Sequence, residues 1–209
     1  MKFSAFRERI KPLPLFSTSM LGTLTDRVNT LKVQLSRWKR KGWVHSLRKG
    51  LYVLSPQERA IEPPLFYLAN QILIPSYVSL ESALAYYGLI PEFVAAATSV
   101  TVRKTCRFKN EFGIFTYQHI QPKGFFGFQT LELSPGWRVL IAAPEKAVVD
   151  FLYLNAKKLR PDREDQFSGS YRFQKGRRLQ AAKLRAYAKR LGKQRLSLLV
   201  ESFIRQVLS

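Results

Sequence analysis

The stretch from position 27 to position 54 limits what this chain can fold into more than any other. Val28, Leu31, Leu35 and Trp38 recur at spacings of three, four and three, which puts them on one stripe of a helix. The spacing predicts a helix over 27–41. Thr25 or Asp26 is placed to cap its start, and Gly42 to end it in the left-handed conformation. Two runs of strand formers follow, 43–47 and 51–54, separated by Arg48, Lys49 and Gly50. They predict a tight hairpin with a cationic tip. Upstream, 3–11 and 17–21 read as short helices kept apart by Pro12 and Pro14. Three helices and then a hairpin is the order of a winged helix, whose third helix enters the DNA major groove while the hairpin grips the flanking backbone.

The far side of the predicted third helix carries Asn29, Thr30, Val33, Ser36, Arg37 and Arg40, with Lys32, Lys39 and Lys41 beside them. Lys and Arg supply phosphate binding and a steep salt dependence. Asn, Thr, Ser and a groove-reaching Arg supply contacts to base edges. The DNA-binding residues expected here are Asn29, Thr30, Lys32, Ser36, Arg37, Arg40 and Lys41, with Arg48 and Lys49 at the hairpin tip. A merely solvated face is the competing reading of the charge run. Trp38 and Trp43 read as core rather than as stacking groups.

Charge extends this reading to the rest of the chain. Among 209 residues there are 35 Lys and Arg against 14 Asp and Glu, a formal charge of +21. It is bipolar along the sequence: residues 1–60 carry +10, 61–100 carry −3, 101–150 carry +3 and 151–209 carry +11. A basic head and tail enclose a nearly neutral middle, which points to a polyanionic partner, nucleic acid before an anionic membrane. The 46% hydrophobic and 13% aromatic content excludes generic disorder. Cys106 is the single cysteine, so no disulfide framework forms within a monomer. No apolar run approaches the roughly 20 residues a spanning helix needs, and the opening MKFSAFRERIKPLPLF lacks the apolar core of a signal peptide. The expectation is a soluble, cytoplasmic protein without a membrane partner.

The middle reads as α+β. A Pro-containing connector, 56–64, is the expected domain boundary. A helix over 65–73 and a second over 80–87, capped by Ser79 and ended by Gly88, come next. Strand-like runs follow at 99–103, 113–120, 127–133 and 137–142, and Pro144 opens a helix with Val148, Phe151, Leu152 and Leu154 as its apolar residues. Several segments here resemble a known family: LRKGLYVLS (47–55), PSYVSLESALAYYGLIPE (75–92), SVTVRKT (99–105), FGIFTYQHI (112–120) and AAPEKAVVDFLYL (142–154). They resemble the AbiEi-like antitoxins of bacterial type IV abortive-infection toxin–antitoxin systems, over about residues 15–155. The resemblance implies a winged helix joined to an antitoxin domain and autorepression through inverted repeats in the promoter. It also implies neutralisation of a nucleotidyltransferase-like toxin, as a rule without a stable complex. A standalone regulator with no toxin is the alternative.

In the tail, 160–175 mixes both charge signs with Pro, Gly and Ser and reads as a mobile loop. A helix over 177–191 puts Leu184, Tyr187, Ala188 and Leu191 on one side and Arg178, Lys183, Arg185, Lys189 and Arg190 on the other. Arg178, Arg185 and Lys189 are expected to clamp phosphates. A solvated face and a membrane-surface helix are the competing readings, the latter disfavoured by an Ala-rich apolar side without Trp or Phe. A last helix over 195–208 buries Leu196, Leu199, Val200, Phe203 and Val207. The division expected is 1–57 (winged helix), 58–155 (α+β antitoxin-type domain) and 156–209 (basic helical extension packed on it).

Groups for catalysis are few. His45 and His119 are the only histidines, and no phosphate-binding Gly motif appears. Cys106 sits among Arg103, Lys104 and Arg107, which could lower its thiol pKa. Glu145, Lys146 and Asp150 could serve a Mg²⁺-dependent nuclease, but Glu145 and Asp150 diverge by about 140° around a helix. No enzyme, metal or cofactor is expected. Ser79, Glu81, Ser82, Tyr86 and Tyr87 form a polar and aromatic set that capping and packing explain; Ser79, Glu81 and Tyr87 are its candidates for an antitoxin surface.

Overall fold

A computed structural model describes residues 1–91, 96–174 and 179–208. The chain is α+β and divides into two units, Met1–Leu68 with Phe108–Gly113, and Ala69–Arg107 with Ile114–Ser209. The division falls within a helix beyond the expected connector, and the described part of the tail groups with the second unit.

The first unit runs α1 (Phe3–Ile10), β1 (Phe16–Ser17), a 3-10 turn (Thr18–Met20), α2 (Leu21–Leu24), α3 (Val28–Arg40), β2 (Val44–Arg48) and β3 (Leu51–Leu54). The strands form an antiparallel sheet of order β1-β3-β2. The apolar stripe of α3 explains where it sits. Leu31, Leu35 and Trp38 are buried with Phe6, Ile10, Phe16, Leu21, Val44 and Leu54 in one core, and Phe6 packs edge-on to Phe16 and within 4.8 Å of Trp38. Trp43 packs against Phe3 at 4.5 Å between ring centroids. Helix α3 ends as expected. Gly42 has φ of +74°, its N–H donates to Lys39 O (3.0 Å), and the Trp43 N–H donates to Trp38 O (3.0 Å), the paired bonds of a Schellman motif.

Two expectations for this unit need correction. The segment 17–21 is not one short helix: Phe16 and Ser17 pair with Tyr52 and Leu51, and helix begins only afterwards. Two residues are too few to show a period. Nor is α3 capped by a side chain, because Arg27 is its N-cap and the Thr25 hydroxyl accepts from the Arg27 N–H (3.2 Å), closing a turn before the helix. The hairpin tip is tighter than expected. Arg48 pairs with Leu51, so Lys49 and Gly50 alone make the turn, Gly50 at φ +82°.

The second unit contains β4 (Ser76–Val78), α5 (Leu80–Tyr86), β5 (Ala96–Thr101), β7 (Gly113–His119) from Ile114 on, β8 (Phe128–Glu132), β9 (Arg138–Ala142), α6 (Pro144–Leu154), α7 (Ala181–Leu191) and α8 (Gln194–Phe203). The helix α4 (Leu65–Ile72) and the strand β6 (Cys106–Asn110) span the division. The mixed sheet has the order β6-β7-β5-β4-β9-β8. Its centre, β4, runs antiparallel to β5 and parallel to β9. Helix α6 packs against α5, α7 and α8, and its residues from Glu145 to Leu152 are all buried.

The four expected strands appear as β5, β7, β8 and β9, whereas β4 and β6 had no distinct signal. The expected Ser79 cap does not form. Thr98 of β5 does the work instead: its hydroxyl accepts from the Ser82 N–H (2.9 Å) and donates to Ser79 O (2.7 Å). Nor is 160–174 a loose loop. Phe167 and Phe173 are buried and meet Phe203 edge-on, because aromatic residues inside a polar composition supply an apolar anchor. Gly192, at φ +65°, ends α7 as expected.

Candidate nucleic-acid interface

The face of α3 opposite the core exposes Asn29, Thr30, Lys32, Val33, Ser36, Arg37, Lys39 and Arg40, and Lys41 continues it. The carboxylates of the first unit that form ion pairs do so elsewhere. Glu58 pairs with Arg7 (2.8 Å), while Glu62 and Glu111 share Arg59, and His45 Nδ1 contacts Glu111. Among the described residues, no carboxylate pairs with Lys32, Arg37, Lys39, Arg40 or Lys41. Two of these ammonium groups lie over rings, Lys39 Nζ 5.6 Å from the Tyr52 centroid and Lys41 Nζ 4.6 Å from that of Trp43. Val33, 54% exposed, stands amid the cationic and polar side chains. It was not among the expected contact residues, yet an apolar group there suits a thymine methyl.

At the hairpin tip the two expected cations differ. Lys49 is exposed, whereas Arg48 is half-buried and donates from Nη1 to Lys49 O (2.9 Å). The hairpin base is braced by the 108–113 tip, where Asn110 Nδ2 donates to Leu47 O (3.2 Å). His45 contacts Gly42 O through Nε2 (3.1 Å), so the end of α3 and strand β2 are joined by a side chain.

The tail is less free than its charge suggested. Arg185 forms a two-pronged pair with Glu201 (2.7 and 2.9 Å), which holds the Glu201 carboxyl below its ordinary value. An Arg expected to clamp phosphate thus already has a carboxylate partner. Arg190 stacks 3.8 Å from the Phe126 centroid, and Arg195 donates to Ala156 O (2.6 Å) and Leu159 O (2.7 Å). Lys183 and Lys189 are exposed and without an ion pair among the described residues. Arg178 lies outside the described residues.

The expected antitoxin surface loses one member. Ser79 has no exposed area; its hydroxyl donates to Asp150 Oδ2 (2.9 Å), which draws it inward rather than to a surface or a cap. Tyr87 is half-buried, its hydroxyl donating to Ala142 O (2.9 Å), and burial raises its pKa. Glu81 is half-buried and Tyr86 is exposed. Ser82 is buried and donates to Ala96 O (3.0 Å).

The Glu145, Lys146 and Asp150 set is a structural network. Lys146 and Asp150 are fully buried and paired through Oδ1, while Tyr77 and Ser79 both donate to Oδ2 at 2.9 Å. Burial holds the Lys146 ammonium below its ordinary pKa and pushes Asp150 up, the ion pair opposing both shifts. Gly127, at φ +72°, leaves room for the lysine, since a Cβ there would lie 3.1 Å from its methylenes. Glu145 Oε1 accepts from the Gln180 N–H (3.1 Å). Among the described residues, no three His, Cys, Asp or Glu are grouped to hold a metal. Cys106 lies in β6, where burial raises its thiol pKa, in the direction opposite to the lowering that its flanking cations could have caused. Among the described residues, no helix is long and apolar enough to cross a membrane.

No family model matches the sequence, and a search of curated proteins finds no match.

Proposed function

We propose that the first unit is a winged helix that binds double-stranded DNA sequence-specifically, and that the chain represses its own promoter through inverted repeats. The observation that carries this reading is the exposed face of α3, which combines five cations that pair with no carboxylate among the described residues with Asn29, Thr30 and Ser36. Thirteen helical residues span about 20 Å, and the helix fits a major groove about 12 Å wide. The element order α1-β1-α2-α3-β2-β3, with sheet order β1-β3-β2, supports the winged-helix assignment and presents Lys49 at the hairpin tip to flanking phosphate. Lys32, Arg40 and Lys41 serve the backbone, Asn29, Thr30 and Ser36 the base edges, and Arg37 either.

On this reading the second unit is an α+β antitoxin domain of a type IV abortive-infection system, countering a nucleotidyltransferase-type toxin without a stable complex. The segments quoted above support it. A standalone regulator without a toxin is the second reading, favoured by the burial of Ser79 and the inward bond of Tyr87. An adjoining nucleotidyltransferase gene separates the two.

Footprinting of the chain's own promoter tests the DNA reading. The wild type is expected to protect paired half-sites, and Asn29→Ala/Ser36→Ala to lose that pattern while retaining salt-sensitive binding to any duplex. A protection pattern unchanged in the double variant would remove α3 from base reading.

A further inference from the structure

Beside the start of α1, the first unit has an open cleft of about 580 Å³ whose charged lining side chains are Lys2, Arg37 and Lys41, with the Met1 ammonium at its edge held by Gln34. No carboxylate lines it, and the three cations have no ion pair among the described residues. Gln34 lines it too; its Oε1 accepts from the Met1 nitrogen (3.1 Å), which leaves the amide N–H groups as neutral donors. Like charges around one cleft repel each other and add nothing to folding. One anion reverses that balance. Phosphate fits the donor set, since its oxygens accept from several groups at once and match the fork of a guanidinium. Trp38 forms part of the wall and supplies a reporter.

We infer that this cleft is a single phosphate site, filled by one backbone phosphodiester of bound DNA or by a free phosphate. Only the DNA source rests on the function proposed above. Lys2 lies outside α3, so the site ties the start of α1 and the end of α3 to the same group. This distinguishes it from a row of independent contacts along a helix.

The test compares the full chain with Lys2→Gln/Arg37→Gln/Lys41→Gln, changes confined to exposed side chains. Affinity for a random-sequence duplex is measured against salt. One shared phosphate predicts that the variant's slope falls by about 0.9, whereas three independent contacts predict about 2.7. In the second arm inorganic phosphate is added at constant ionic strength and the indole N–H resonance of Trp38 is followed. A free-phosphate site predicts a saturable shift in the wild type and none in the variant. A slope loss near 0.9, with Lys2→Gln alone also weakening duplex binding, assigns the DNA backbone; the same loss with Lys2→Gln neutral leaves Lys41 as a lone contact and overturns the inference. A saturable shift with no slope change, or in a chain that binds no duplex, assigns free phosphate, and the latter case refutes the proposed function alone. A slope loss near 2.7, or neither effect, overturns the inference.

Discussion

Asp150 shows how far a single residue's role depends on its surroundings. It is fully buried, yet Lys146, Tyr77 and Ser79 all donate to it. Removing one member of such a pair leaves an uncompensated buried charge, so Asp150→Ala is expected to lose about 3–5 kcal/mol in urea unfolding. Replacing both charges, as in Lys146→Met/Asp150→Leu, is expected to recover only part of that loss, because the buried Tyr77 and Ser79 hydroxyls lose their acceptor. A single variant within 1 kcal/mol of wild type, on the order of an exposed pair, would show that the network is not what holds α6 in place. The spacing of Lys146 and Asp150 was readable from the sequence as one turn of helix. Their burial was not, because it depends on Tyr77 and Ser79 from β4, a strand of three residues without a visible period. For the same reason Ser79 read as a cap.

At the scale of elements, legibility followed the length of the pattern. Helix α3 was placed almost to the residue because four apolar positions repeat and a glycine stops it. Its exposed face followed at once, since whatever the core does not take must meet solvent. Gly42 has open space around its missing Cβ, so its importance lies in the backbone alone. Gly42→Ala is therefore expected to cost roughly 1–2 kcal/mol in thermal or urea unfolding, the penalty of a left-handed L-residue, without a steric clash. A neutral result would mean that the Schellman end of α3 relaxes freely. The short elements β1, β4 and β6 escaped detection because pairing across the chain creates them. In the tail, the amphipathic pattern found α7 and its end at Leu191, but the helix begins at Ala181 rather than 177, and no pattern could show that Arg185 faces Glu201 or that Arg190 lies on Phe126.

For the whole molecule, the partition of charge says more than its total. Among the described residues, no carboxylate pairs with the α3 cations of the basic head, whereas in the tail Arg185, Arg190 and Arg195 have partners within the fold. On the proposed function, DNA reading falls mainly to the first unit, with Lys183 and Lys189 among the exposed tail cations. That function rests on sequence-specific recognition of duplex DNA. The most direct measurement is equilibrium competition, at physiological salt, between a duplex of the chain's own promoter and one of random sequence. The promoter is expected to bind about a thousandfold tighter or more, the range of specific regulators. Equal affinity for the two duplexes would contradict it.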